Sequence, residues 1–193
     1  MGGVGGPVDW LVVGLGNPGP EYERSRHNLG WKVADLLAQR WQLPRARERF
    51  RGRVSEGRIA AGGARVAVLW PMTYMNEAGR SVGPARGALG VALDHVLVVH
   101  DEIDLPFGEV RARVGGGTAG HNGLKSLRRE LGGAGFARVR AGVGRPASTD
   151  PEIVSAWVLG RFAEPPEQVR ELTDRAADAG ERLVIGEAPV PPA

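Results

Sequence analysis

The chain has 193 residues, 30 of them Gly, 14 Pro and none Cys, with 42% apolar and 24% charged. That suits one domain with its own core and excludes a disulfide framework, a thiolate metal site and a cysteine nucleophile. No apolar run approaches the roughly 18 residues of a membrane span, and no basic residue precedes Arg24 as a targeting leader would require, so no membrane association and a cytoplasmic location are expected.

In chain order, an apolar run at Trp10–Val13 predicts a first strand. Leu29, Val33, Leu36, Leu37 and Trp41 then share one helical face. Arginines at period two from Arg45 to Arg53, the Gly62-Gly63 turn and the run RVAVLW predict antiparallel strands within residues 47–70. Asn76 is read as the N-cap of a helix running to Leu89. Strands follow at His95–Val99 and Arg138–Val143, and Val169, Leu172, Ala176 and Leu183 mark a last helix. The expected fold is α/β, a single domain over residues 1–193 with a twisted mixed sheet flanked by helices and flexible ends at 1–8 and 188–193.

The charge is uneven. Residues 1–145 carry 21 Lys and Arg against 13 Asp and Glu, and residues 146–193 carry 4 against 9. Arg supplies 23 of the 25 cations, and guanidinium suits phosphate, although codon bias produces the same composition.

Two motifs have other readings. Gly14, Gly16 and Gly19 match G-x-G-x-x-G, but Pro18 and Pro20 remove N–H donors that a pyrophosphate would need, and helical periodicity starts only after SRHN. GRSVG mimics a nucleophile elbow at Ser81, with Asp101 and His121 following in hydrolase order. An elbow directly follows a strand, whereas PMTYMNEA separates Ser81 from RVAVLW, which puts Ser81 inside a helix. The acids of HDEID stand at the end of a strand, where open α/β sheets bind ligands. If the strands starting at Trp10 and His95 are neighbours, Asn17, His27 and Asp101 gather at one edge. No H-x-x-x-H or H-E-x-x-H occurs, so no metal is expected.

The segments VVGLGNPGPEYERSRHNLGW, PMTYMNEAG, VVHDEIDLPFGEVRARVGGGTAGHNGLKSL and FARVRAGVGRP, in this order, resemble bacterial peptidyl-tRNA hydrolase from about Trp10 to Val184. The resemblance implies a monomeric, cofactor-free carboxylic ester hydrolase that cleaves peptide from the 3′ end of tRNA and recycles tRNA from abandoned translation. It implies His27 as base for the attacking water, with Asp101 orienting it. Asn17, Asn76 and Asn122 would hold substrate, water and oxyanion. Tyr22, Tyr74 and Met75 would line the same cleft, with Asn28 and His121 flanking it. Arg113 and Arg140 would bind phosphate of the tRNA acceptor stem. The chemistry fits these residue types: imidazole titrates near neutrality, a carboxylate fixes its tautomer, and amides donate and accept without titrating. Relatives of this fold also act as RNA-binding splicing factors in plastids, which is the non-enzymatic alternative.

Overall fold

The computed structural model describes residues 6–187. Seven strands form one mixed sheet: β1 (Trp10–Gly14), β2 (Arg47–Arg49), β3 (Gly52–Arg58), β4 (Arg65–Pro71), β5 (Val96–Glu102), β6 (Val110–Val114) and β7 (Ala137–Gly142). Their order is β2-β3-β4-β1-β5-β7-β6. β4, β1, β5 and β7 are parallel, while β2, β3 and β6 run against their neighbours. Five helices flank the sheet among the described residues: α1 (Leu29–Arg40), α2 (Gly79–Leu89), α3 (Asn122–Leu131), α4 (Pro151–Leu159) and α5 (Pro166–Val184). The single mixed-sheet domain expected from the sequence is the one observed.

Strand periodicity divides the core in two. Val12, Val66, Val68, Leu97 and Val99 face α1 and α5, while Leu11, Val13, Leu69, Val96 and Val98 face α2 and α3. The central strands are therefore apolar throughout, because both faces are covered. Of the ends expected to be flexible, residues 1–5 and 188–193 lie outside the described residues. Within them, Val8 is buried and the Asp9 N–H donates to the Arg65 carbonyl at 2.8 Å.

The crossovers position the site. β1 leads into α1 on one face, whereas β5, its parallel neighbour, leads through β6 to α3 on the other. A crevice opens at the carboxyl ends of β1 and β5, where the chain diverges. The glycines after β1 serve packing and not phosphate binding. A Cβ on Gly14 would lie 2.3 Å from the Gly30 carbonyl oxygen, and one on Gly16 would strike the Trp31 ring. α1 begins at Leu29, well past Gly19, so no helix N-terminus is aimed from that loop.

Two sequence expectations change. Asn76 caps nothing: it lies in a 3₁₀ turn, Met75–Glu77, and α2 starts at Gly79 without a side-chain cap. α4 was not anticipated, although Asp150 accepts from the Glu152 N–H at 2.8 Å ahead of Pro151 in the first turn, a recognisable helix start. Ser81 is fully buried inside α2, as its distance from the preceding strand predicts, and cannot meet a substrate.

Candidate active site

A cleft of about 740 Å³ occupies the crevice. Its floor is a hydrogen-bonded set of side chains from three elements. His27, in the 3₁₀ turn that enters α1, places Nδ1 3.0 Å from both carboxylate oxygens of Asp101 on β5. His121, the N-cap of α3, accepts the Gly123 and Leu124 N–H groups on Nδ1, at 3.1 and 3.4 Å. Its ring proton therefore sits on Nε2, which donates to Asp101 Oδ1 at 3.0 Å.

Asp101 is only 1% exposed. Burial pushes its carboxyl up, but the attraction of the His27 and His121 imidazole N–H groups that point at it outweighs this and holds it well below the usual carboxylate range. An ionised Asp101 can only accept, so the His27 proton lies on Nδ1, and Nε2, on the opposite side of the ring, keeps its lone pair. That is the tautomer a general base requires.

Asn17 is oriented as closely. Its Oδ1 accepts the Met75 N–H at 2.7 Å, which leaves the amide NH₂ as the free end. Asn28 sits behind it, 1% exposed, with Oδ1 on the Asn17 N–H at 2.8 Å and Nδ2 on the Asn17 carbonyl at 2.9 Å. Asn28, expected to flank the cleft, is buried and braces the Asn17 backbone. Asn76 and Asn122 both line the cleft as exposed side chains. Tyr22, Tyr74 and Met75 complete that side, Met75 buried and Tyr74 59% exposed.

Sequence reasoning missed the opposite wall. Val154, Val158 and Leu159 of α4 face the cleft, with Lys125 and Arg145 nearby. α4 has no buried residue. It is held at its far end by Arg26, whose guanidinium lies 3.7 Å from the Trp157 ring centroid and donates to the Trp157 carbonyl at 3.0 Å. Spacing at i and i+4 from Val154 to Val158 could have revealed this wall.

Arg113 and Arg140 stand apart from the cleft lining, on β6 and β7. Arg140 donates through Nε to the buried Glu102 at 3.1 Å. Arg113 has no carboxylate within 4.0 Å among the described residues. His27, Asp101 and His121 have donor atoms within 4.8 Å of one another, a grouping invisible in local spacing. Both Asp101 oxygens and both His121 nitrogens are already engaged in hydrogen bonds within the protein. Among the described residues no helix is long and apolar enough to cross a membrane.

The peptidyl-tRNA hydrolase family model matches residues 11–188. Peptidyl-tRNA hydrolase from Geobacillus kaustophilus is 46% identical over 175 residues, covering 90% of this chain and 92% of its own. That of Syntrophotalea carbinolica is 51% identical over 153 residues, covering 79% and 78%. The crystal structure of peptidyl-tRNA hydrolase from Acinetobacter baumannii superposes with a TM-score of 0.80 at 37% identity, covering 92% of this chain and 89% of that one. Motifs, fold and relatives agree over nearly the whole length, and the chain belongs to the peptidyl-tRNA hydrolase family.

Proposed function

We infer that the protein hydrolyses the ester between a peptide and the 3′ end of tRNA, releasing tRNA for reuse. The observation that carries this reading is the His27–Asp101 pair, with His27 Nε2 left free in the cleft that Asn17 also lines. A water in the cleft attacks the ester carbonyl carbon as His27 Nε2 takes its proton. Asp101 stabilises the resulting imidazolium, and His121, donating to the same carboxylate, helps to keep Asp101 ionised. The Asn17 amide, with Asn76 and Asn122, meets the oxyanion and the substrate backbone. Collapse of the tetrahedral intermediate breaks the bond to the ribose oxygen, which receives the proton from His27. The products are a free peptide and an intact tRNA terminus, and no covalent enzyme intermediate is required.

Arg113 and Arg140 bind phosphate of the acceptor stem, contacts that position nucleic acid without reading its sequence. The α4 wall takes the peptide: its apolar side chains suit segments of varied sequence. The same reading has the protein act as a monomer in the cytoplasm. The test is to incubate the purified protein with an N-blocked aminoacyl-tRNA and measure free tRNA. Release confirms the reading. Intact tRNA binding without release would instead indicate an RNA-binding module.

A further inference from the structure

Arg138 on β7 is 2% exposed, yet it has no carboxylate within 4.0 Å among the described residues. Its guanidinium donates from Nη1 to the Gly117 carbonyl at 2.6 Å and from Nη2 to the Gly116 carbonyl at 2.7 Å, and lies 4.9 Å from the Phe136 ring centroid. Its neighbours have like charge. Arg113 pairs with it across β6 and β7, and Arg140 follows two residues along the same strand. Burial first, then Arg113 and Arg140, lower its pKa to about 10 against an opposing pull from Glu102. A buried cation crowded by two others is costly where stability alone is served.

The loop it grips leads to the active site. Gly115 and Gly116 have φ of 72° and 98°, open chiefly to glycine. A Cβ on Gly116 would also lie 2.0 Å from Arg113 Nη2. Gly116 is therefore contacted by Arg113 at its Cα and by Arg138 at its carbonyl. Immediately beyond, the Thr118 carbonyl accepts the His121 N–H at 2.8 Å, and His121 in turn caps α3 and donates to Asp101.

We propose that Arg138 is a positioning residue which, through Gly116 and Gly117, couples a substrate phosphate on Arg113 and Arg140 to the orientation of His121 and Asp101. The proposal rests on the phosphate-binding role inferred above for those two arginines. An anion there offsets the repulsion on Arg138 and strengthens the two carbonyl bonds that already hold the loop. The tRNA body then accelerates the chemistry as well as tightening binding, because its phosphate is bound better when the site is ordered.

The experiment follows the imidazole nitrogens of the whole protein by NMR during titration with inorganic phosphate, in the wild type and in Arg138→Lys, which keeps the charge but loses the two-pronged grip. The wild-type His121 signals should shift saturably. In the variant phosphate should bind within about twofold of wild type while the His121 response disappears, and kcat on peptidyl-tRNA should fall roughly tenfold to a hundredfold with KM little changed. An undiminished His121 response in the variant overturns the proposal. Should the variant not fold, amide hydrogen exchange of the wild type decides: phosphate should slow exchange at His121, and unchanged exchange with phosphate bound overturns the coupling. Phosphate bound without any His121 response removes the coupling alone. Failure of phosphate to bind removes both the coupling and the phosphate reading on which it stands.

Discussion

The floor and the far wall of the cleft are built on opposite principles. On the floor, Asn17, Asn28, Asp101 and His121 are held by several short hydrogen bonds from different segments, most of them buried. The wall is α4, with no buried residue and one buried arginine clasping its far end. Proton transfer needs atoms held within tenths of an ångström, so the floor is over-determined. A surface for varied peptides needs contact area more than fixed geometry. Changes in the floor should therefore appear in kcat, changes in the wall mainly in KM, and changes in the arginine surface in both.

The sharpest break is His27→Ala, which should lower kcat by roughly 10²–10⁴ while leaving KM and tRNA affinity near wild type. The fold should survive, since Asp101 keeps the His121 hydrogen bond. Steady-state kinetics and circular dichroism check both halves, and normal turnover would end the base assignment.

The floor also sets acid stability. His100 is fully enclosed, donates through Nδ1 to the Asp101 carbonyl at 2.7 Å, and has its pKa lowered to about 3, chiefly by burial and then by His121. The unfolded chain binds that proton near pH 6.5, so this contribution is complete above about 6.5 and is lost as pH falls toward 3, by up to ~1.4 kcal/mol per pH unit. Asp101, also lowered, contributes fully above roughly pH 4 and loses that contribution below it. Urea unfolding of His100→Gln should show a flatter dependence between pH 4 and 6.5, and an unchanged slope would assign the loss elsewhere.

Replacing Arg113 and Arg140 together with Ala should raise KM for peptidyl-tRNA roughly tenfold, and kcat should fall no further than in Arg138→Lys. The plot of log affinity against log salt should flatten by roughly 0.7 per lost contact for a single strand. An unaltered salt slope would mean that Arg140 serves only its ion pair with Glu102. On the wall, Leu159→Ser should raise KM a few-fold for substrates with apolar peptides, since Leu159 is already 38% exposed and only part of its burial energy is at stake. A fall in kcat there would place chemistry on α4. The smallest effect belongs to Ser81→Ala: its hydroxyl is buried without a partner, so activity and stability should stay near wild type. Covalent labelling of Ser81 by a serine-directed phosphonate would contradict its burial.

How far the site was legible depended on the kind of signal. The strands at Trp10 and Val96 are apolar runs, and their identity as strands is local. His27, Asp101 and Asn17 stood out because they end or follow such runs at polar turns. Asn before a helical stretch is a frequent cap, which is what the sequence around Asn76 suggests, yet the chain makes a 3₁₀ turn first and frees the amide for the cleft. Asn28 looked accessible because sequence position does not report depth, and only the packing of α1 against β1 at Gly14 and Gly30 puts it behind Asn17.

Hydrophobic period and turn chemistry act over a few residues, and they suffice for the α/β alternation and the helical setting of Ser81. Tertiary structure decided what those periods cannot encode. Asp101 receives His27 from 74 residues away and His121 from 20 residues away, because β1 and β5 pair in parallel and α3 returns to the same sheet end. The tautomer of each imidazole follows from which partner its nitrogens reach. The grip of Arg138 on Gly116 and Gly117 likewise exists only once β6 and β7 are in register, since a guanidinium's role is set by the carbonyls that the folded backbone brings to it.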